Sequence, residues 1–348
     1  MNKQDKSLAG QTSKQDLELK IKDIANNFHT KPEELAEYLK FSSKFYQYSA
    51  RNTMLIYQQN EGALFCGSFK KFKDMGYFVR KGQHGMKILV PTKKTVLKIG
   101  DKLVSLSQAT KEQKAAFKRG EIEGKEWLVF KVGTVFDITQ TNIPQSDYPK
   151  YLGIGVNSEQ HKELYDLLVK YNNEKLGVSI RENQLQSVAL RGYYNQNDND
   201  ITISENFNDT ARLSILSHET GHAMLHNNKE AVQRPSSQIE FEADCFSIMF
   251  CTYAGIEIAN TRNQHLVDNF NAMTNHKDYK PDMLQQSLDR AHNAFKELVD
   301  YVNPVLFPDI PLDNNPLNVP TQAPSSASAA EPILPNQIPD IGGFSMCL

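Results

Sequence analysis

The sequence contains few cysteines and lacks a long apolar run. Four cysteines, Cys66, Cys245, Cys251 and Cys347, are scattered over 348 residues, and none has zinc-finger spacing. No stretch of 18 or more apolar residues and no secretory signal is apparent, which argues against a membrane-spanning or disulfide-rich protein. We therefore expect a cytoplasmic protein without a membrane partner. Its reduced thiols, Cys245 and Cys251 among them, should act as small buried hydrophobes.

The formal net charge of −2 conceals an uneven distribution of charge along the chain. Residues 1–150 carry 26 Lys and Arg against 16 Asp and Glu, a net of +10, and the remaining residues carry 13 against 25, a net of −12. The length leaves room for two domains and a tail. A basic front half and an acidic back half favour separate units with separate partners.

One pentapeptide has a spacing suited to metal chemistry. Residues 218–222 read His-Glu-Thr-Gly-His, within a run from 211 to 226 that has the apolar spacing of a buried helix. Residues four apart share one face of a helix, so His218 and His222 can both direct a ring nitrogen at one ion. Glu219 would project beside that ion and act as the general base on water that the ion activates. The motif predicts a hydrolase with one Zn2+.

A third ligand is expected on a second helical run, residues 238–250. Glu240 and Asp244 lie four apart, so two antiparallel helices can bring Glu240 to the metal and let Asp244 accept the free N–H of a ligand histidine. Glu242 is the alternative ligand, although it lies roughly 200° around an ideal helix from Glu240.

Other interpretations of the motif remain open at this point. His226 is a further potential ligand, but it lies about 12 Å along the helix from His218, which favours a packing role or a contact to a ligand. A buried helix can also carry two histidines by chance, and the acidic partner helix argues against this. A purely structural zinc is disfavoured because Glu219 and an open fourth position are typical of catalytic sites.

Residues from about 151 to 275 resemble the ImmA/IrrE family of small gluzincin-type metallopeptidases. That family has an HExxH helix ending in a further histidine and then an E-x-E-A-[ND]-x-F helix, which residues 240–246 match as Glu-Phe-Glu-Ala-Asp-Cys-Phe. The resemblance implies an antiparallel sheet beside the two helices and a β-hairpin over 192–204, whose edge strand can bind a peptide by strand addition. Strand-like runs around an Asn/Asp turn support the hairpin independently. Tyr193 and Tyr194 are candidate oxyanion donors, with core packing as the other role.

The periodicity also predicts the order of elements outside the motif. A helix is expected over 16–28. A second helix is expected to follow, with Thr30 as its N-terminal cap. In the front half we also expect a third apolar stretch over 41–57, a strand–turn–strand unit over 76–91, and β structure over 127–136. Between these, residues 93–125 should form a surface excursion with a helix at 109–119. In the back half, helices are expected over 157–171, 259–275 and 281–302. Residues 1–14 and the Pro/Ser/Ala-rich stretch 305–348 predict disorder.

Basic residues are concentrated between Gly67 and Lys102, where ten Lys and Arg face only Asp74 and Asp101. Aromatic residues are interleaved with them, namely Phe69, Phe72, Tyr77 and Phe78. Lysines neutralise phosphates and exposed rings stack on bases, a combination that suits single strands. The alternative, in which the rings are core and the lysines a solvated face, is equally compatible with composition.

Three segments, 48–57, 76–88 and 135–140, resemble the N-terminal domain of ArdC-type antirestriction proteins. That family joins a single-strand DNA-binding domain to a metallopeptidase-like domain, in the order found here, and is carried by conjugative plasmids. The resemblance implies single-stranded DNA as a partner. Contact residues are inferred by type as Arg51, Lys70, Lys71, Tyr77, Arg80, Lys81 and Lys87, with Phe69 as another stacking ring.

The sequence thus predicts an α+β protein with a mixed α/β domain over 15–150 and a metallopeptidase domain over 151–304. The function expected is a zinc-dependent metallopeptidase fused to a single-strand DNA-binding domain and encoded on a mobile element. It would act in antirestriction or cleave an unidentified defence protein or repressor. The alternative is a non-proteolytic protein that coats entering single strands around a structural zinc.

Overall fold

The computed structural model describes residues 12–100, 102–151, 156–185, 190–227 and 233–308. Most of the two stretches expected to be disordered therefore lies outside the described residues, as does Cys347. Within the described part, the first helix already begins at Lys14, capped by Ser13, and the last ends at Leu306. The combination of helices with two separate sheets confirms the α+β class.

The front half consists of five helices and a four-stranded sheet. The helices are α1 (Lys14–Thr30), α2 (Glu34–Lys44), α3 (Ala50–Gln59), α4 (Phe69–Asp74) and α5 (Lys111–Lys118), and the strands are β1 (Cys66–Ser68), β2 (Met86–Ile99), β3 (Lys102–Ser105) and β4 (Gly124–Asp137). The sheet is antiparallel, in the order β1-β4-β2-β3. The surface excursion expected over 93–125 is largely the outer part of this sheet, because β2 and β4 stay paired from Met86↔Val135 to Leu97↔Gly124.

Two local predictions in the front half are wrong. Thr30 does not cap α2, because it is the last residue of α1 and its hydroxyl donates to Asn27 O at 2.9 Å. The segment before the glycine-rich turn forms an isolated bridge, Val79↔Thr141, and β2 begins only at Met86. At Thr30 the last turn of α1 takes the hydroxyl, and at Val79 the partner is Thr141, which lies far along the chain and which a local pattern does not show.

Amide side chains of α3 cover the inner edge of β2. Asn52 Nδ2 donates to Leu89 O and Asn52 Oδ1 accepts from Leu89 N, both at 2.8 Å. Gln59 repeats the pattern on Lys87, donating to its carbonyl at 3.0 Å and accepting from its N–H at 2.8 Å. The two amides thus satisfy backbone groups that an edge strand would otherwise leave unpaired.

The back half places a small sheet against five helices. The helices are α6 (His161–Tyr171), α7 (Asp209–His226), α8 (Ser236–Tyr253), α9 (Asn260–Thr274) and α10 (Pro281–Leu306), and the strands are β5 (Ser179–Asn183), β6 (Gly192–Asn195) and β7 (Asp200–Ser204). The expected hairpin is formed by antiparallel β6 and β7. The sheet is mixed rather than antiparallel, because β5 pairs in parallel with β7 on the side away from β6. Side-chain alternation carries no information about the direction of a neighbouring strand.

One hydrophobic core extends through both halves of the chain. Leu17, Phe28 and Leu39 from the first two helices belong to the same buried cluster as Phe246 and Phe295 from the back half. The first three helices therefore pack onto the helices of the back half, although the two halves carry opposite net charges.

The cysteines and helices agree with the expectations from composition. Cys66, Cys245 and Cys251 are buried free thiols. Burial raises the pKa of Cys66 and Cys245 well above the ordinary thiol value. Among the described helices, none combines the length and the apolar character that crossing a lipid bilayer requires.

His292 on α10 joins the two halves through a buried polar contact. Its side chain is 1% exposed, and Nε2 lies 2.7 Å from the carbonyl oxygen of Tyr48. A carbonyl only accepts, so Nε2 carries the proton, and Nδ1 accepts from the Ser42 hydroxyl at 2.9 Å. Burial lowers the pKa of His292 to about 4, with a further contribution from the charge of Lys296. The imidazole is therefore neutral in the folded protein at neutral pH.

We expect stability to fall as the pH is lowered from about 6.5 to about 4, because His292 takes up a proton in the unfolded chain before it does in the folded one. The whole difference is about 3 kcal/mol, at about 1.4 kcal/mol per pH unit. The measurement is urea unfolding over a pH series for the wild type and His292→Gln, with the exposed His84→Gln as control. The stability advantage of the wild type over His292→Gln should shrink by that amount on acidification. An advantage that does not change with pH would contradict the prediction.

Candidate functional site

The site is built where α7 and α8 cross at short distance. A Cβ added at Gly221 would lie 3.3 Å from Ala243 Cα and 3.1 Å from the ring of Phe246, which is tighter than ordinary contact. The pair of small residues, Gly221 and Ala243, therefore allows the two helix backbones to approach closely. Both helices are nearly all buried at this level, and their facing polar side chains lie inside the protein.

The crossing brings together three atoms that are metal ligands in proteins. His218 Nε2 and His222 Nε2 lie 3.2 Å apart, and Glu240 Oε2 lies 3.6 Å from the first and 3.7 Å from the second. A tetrahedral ion with bonds of about 2.0–2.1 Å separates its ligand atoms by about 3.3–3.4 Å. Two imidazoles and one carboxylate at this spacing fit a divalent metal with a fourth position for water or substrate.

Glu219 lies on the same helix, directly after His218, and is fully buried. The next residue, Thr220, accepts a hydrogen bond from Asn172 Nδ2 at 2.8 Å, which ties this turn of α7 to the π-helical turn Asn172–Leu176. The candidate general base therefore lies on a turn of α7 that this contact fixes to the rest of the fold. Its catalytic role stays a prediction.

Asp244 is the centre of a polar cluster behind His218. Its Oδ1 lies 3.3 Å from His218 Nδ1 and accepts from Arg262 at 3.0 Å, and its Oδ2 lies 2.7 Å from His265 Nδ1. Burial opposes the ionised form of Asp244, but the hydrogen bonds from His218 and His265 outweigh it and hold the pKa below its ordinary value. His218 Nδ1 also lies 2.7 Å from Arg262 Nη1, and a guanidinium only donates, so this nitrogen faces both the guanidinium and the Asp244 carboxylate.

His222 has its own buried chain of partners, which runs through His226. His222 Nδ1 lies 3.2 Å from His226 Nδ1, and His226 Nε2 lies 3.2 Å from Glu242 Oε2. A proton on His222 Nδ1 and another on His226 Nε2 satisfy both contacts, and burial lowers the pKa of His226 to about 4, so a neutral ring is expected. Glu242 is held in turn by Arg290 and by Ser287 Oγ at 2.8 Å.

The two carboxylates that the sequence offered as third ligand are thus separated by the fold. Glu240 faces both histidines, and Glu242 faces away, towards α10. His226 occupies the supporting position that its distance from His218 suggested. The spacing of the motifs did not reveal Arg262, His265 or Arg290, because these residues come from helices whose placement no short pattern specifies.

The tyrosines of the hairpin divide between two environments. Tyr194 is 4% exposed and its hydroxyl donates to Asn199 Oδ1 at 2.9 Å, so it has the packing role that was expected for one of the pair. Tyr193 is half-buried. An oxyanion role for Tyr193 stays a prediction.

The predicted DNA-contact residues differ in accessibility. Lys70, Arg80 and Lys81 are exposed, as is the ring of Phe69, while Lys71 is only 9% exposed and leaves little surface for a phosphate. Arg51 lies 4.0 Å from Glu18, and the ammonium of Lys87 donates to Thr134 Oγ1. The half-buried Tyr77 packs edge-on against Tyr151. Phe78, which is not among the expected DNA-contact residues, is 58% exposed.

Comparison with known proteins finds a family model that matches part of each half of the chain. Residues 16–136 match the family described as the N-terminal domain of anti-restriction factor ArdC. Residues 173–269 match the IrrE N-terminal-like domain of peptidase family M78, and this range contains His218, Glu219, His222, Glu240 and Asp244. The chain is thus similar to an ArdC N-terminal domain and, further along, to an IrrE-like domain. Each half therefore agrees with the resemblance inferred from its motifs.

An uncharacterized protein of Bacillus anthracis, pXO2-81, is 32% identical over 257 residues, which are 69% of this chain and 44% of that relative. The chain therefore spans less than half the length of this relative. The metal-free crystal structure of the antirestriction protein ArdC from plasmid R388 is 17% identical, with a TM-score of 0.44 over 75% of this chain and 86% of that one. Its Mn(II)-bound structure is 15% identical, with a TM-score of 0.43 over 73% and 84%. At these values the likeness says nothing about the chemistry of the site.

Asp244→Asn should weaken the affinity for Zn2+ about 10- to 100-fold, because the neutral amide no longer holds the Arg262 guanidinium and the His218 ring in place with a negative charge. The measurement is calorimetric titration of chelator-treated protein at fixed pH. Glu257→Gln, an exposed acidic residue beyond α8, is the matched control and should titrate like the wild type. An Asp244→Asn affinity equal to that of the wild type would remove Asp244 from the metal site.

Proposed function

We propose that the protein is a metal-dependent peptidase tethered to a single-strand DNA-binding region, with zinc as the metal and Glu219 as the general base. The observation that supports the peptidase most directly is the spacing of 3.2 to 3.7 Å among His218 Nε2, His222 Nε2 and Glu240 Oε2. An IrrE-like domain over residues 173–269 agrees with this chemistry.

A bound divalent ion supplies Lewis acidity and lowers the pKa of water at the site. Glu219 takes a proton from the attacking water and passes it to the leaving amine. Asp244 and His226 keep the two histidines in one orientation, so the donor atoms do not need to rearrange during turnover. Among the described strands, β6 is at the edge of its sheet, and an extended peptide could add along it as a further strand.

The DNA-binding part of the proposal rests on the ArdC-like region and its exposed cations. The protein would act in the cytoplasm of a cell that a mobile element enters, in antirestriction or against a defence protein or repressor. DNA binding would raise the local concentration of the peptidase near its target.

The alternative is a non-proteolytic protein that coats entering single strands. One observation favours it: α7 and α8, which carry the metal donors, belong to the same core as α1 and α2. An ion at the crossing would then stabilise the fold that presents the basic surface.

Glu219→Gln should abolish peptide cleavage, with a loss of at least about 100-fold, while metal content and melting temperature stay at wild-type values. The change keeps the size of the side chain and removes the base. Cleavage is read by mass spectrometry on a proteome-derived peptide library, with Zn2+ or Mn2+ and with or without single-stranded DNA. Surviving cleavage would exclude Glu219 as the base, and an inactive wild type under all four conditions would favour the coating function.

Wild-type protein should bind single-stranded DNA more tightly than duplex, with an affinity that falls steeply with salt. Lys70→Glu with Lys81→Glu should lower the slope of log K against log salt by about 1.4, at about 0.7 per lost phosphate contact. The control is the double variant Lys175→Glu with Lys277→Glu, which changes the net charge equally at two exposed positions of the back half and should leave the slope unchanged. Absence of binding by the wild type would remove the DNA-binding part of the proposal.

A further inference from the structure

The outer part of the first sheet projects beyond the helices that cover its inner part. It consists of residues 92–99 of β2, all of β3 and residues 124–131 of β4, and we call it the arm. Several of its large apolar side chains are exposed: Leu103 by 75%, Leu128 by 62%, Phe130 by 40% and Trp127 by 39%. Apolar groups of this size are rarely left in water together without a partner.

The register divides the arm into two faces. Directly paired residues share a face of an antiparallel sheet, and so do residues two apart along one strand. Lys94 pairs with Trp127, Val96 with Lys125, and Lys98 with Leu103. One face, which we call the open face, therefore carries Lys94, Lys98, Leu103, Lys125, Trp127 and Lys131.

The open face combines positive charge with an aromatic ring. Its four lysines are all exposed, and no acidic residue occupies the strand positions of this face. The ammonium of Lys94 lies 5.6 Å from the ring centroid of Trp127, within reach of a cation–π contact. Lys94 and Trp127 thus lie together on the open face, and Lys98, Lys125 and Lys131 lie on the same face around them.

The opposite face is partly covered and carries a different charge. Glu126 lies there, 3.9 Å from the ammonium of Lys93, so part of the positive charge is neutralised. At the outer end, α5 packs over this face: a Cβ at Gly124 would lie 2.5 Å from the ring of Phe117. Leu128 and Phe130 are exposed on this face as well, so the two faces differ mainly in charge. The open face carries four exposed lysines around Trp127, with Glu123 at its border beside Lys98, and the opposite face carries Lys93, Lys102 and Glu126.

We propose that the open face of the arm is a contact surface for single-stranded nucleic acid. Trp127 stacks on an unpaired base, and Lys98, Lys125 and Lys131 neutralise the flanking phosphates. A single strand fits this surface better than a duplex, whose bases are already stacked on each other, or an acidic polypeptide, which has no base to stack. The inference rests on the proposed DNA binding and adds a surface absent from the residue set expected from sequence.

The chain itself carries a reporter for this contact, because Trp127 is its only tryptophan. Full-length protein is titrated with an oligothymidylate of about 20 nucleotides, longer than one typical single-strand site. Binding is followed by anisotropy of a labelled oligonucleotide and, in parallel, by tryptophan emission. Stacking should quench the emission of Trp127, and the two signals should give the same dissociation constant.

Matched variants separate the two faces. Lys98→Gln with Lys125→Gln removes two charges from the open face, and Lys93→Gln with Lys102→Gln removes two exposed charges from the opposite face of the same strands. The first pair should lower the salt slope by about 1.4 and the second should leave it unchanged. Trp127→Leu should weaken binding about 5- to 150-fold, the range for loss of one stacked base.

The outcomes distinguish this inference from the proposed function. Binding by anisotropy without a change in tryptophan emission, or equal effects of the two lysine pairs, would overturn the arm as a contact surface and leave DNA binding intact. Absence of any anisotropy change would overturn the DNA-binding function itself. Equal quenching by poly-glutamate at the same ionic strength would identify the open face as a general polyanion surface and overturn the role of base stacking.

Discussion

The candidate metal site depends on how closely α7 approaches α8. Because Gly221 and Ala243 present almost no side chain at the crossing, the donor atoms of the two helices meet within 3.7 Å. A larger residue at either position would push the helices apart, and a shift of a few tenths of an ångström exceeds the tolerance of about 0.2 Å on metal–ligand distances. Two of the three donors come from α7 and one from α8, so neither helix can form the site alone.

The supporting contacts tie this crossing to the rest of the fold. Behind His222, the chain through His226 and Glu242 ends on Arg290 of α10, and two residues further along α10 His292 contacts Tyr48 and Ser42 of the front half. The same helix therefore anchors the metal site and the ArdC-like region. One hydrophobic core likewise extends through both halves, although their net charges have opposite sign.

The proposed activities make different demands on the structure, and the fold separates them accordingly. A hydrolytic site would need buried, pre-oriented groups, and the candidate site lies between α7 and α8, two helices whose described residues are mostly buried. Contact with a nucleic acid needs accessible charge and rings, and these lie on α4, on the turn before β2 and on the arm. DNA binding can therefore localise the peptidase without occupying its site.

The sequence by itself determined what depends on residues close together along the chain. Four-residue spacing placed His218 with His222 and Glu240 with Asp244, and alternation around an Asn/Asp turn located the hairpin. Only the tertiary structure decided that Glu240 faces the histidines while Glu242 faces Arg290, that β5 joins the sheet in parallel, that both halves share a core, and that one face of the arm carries four exposed lysines around Trp127. Each of these outcomes depends on contacts between residues distant in sequence. The hydrophobic periodicity of a helix or strand shows which of its faces is buried, but not which other element packs against that face.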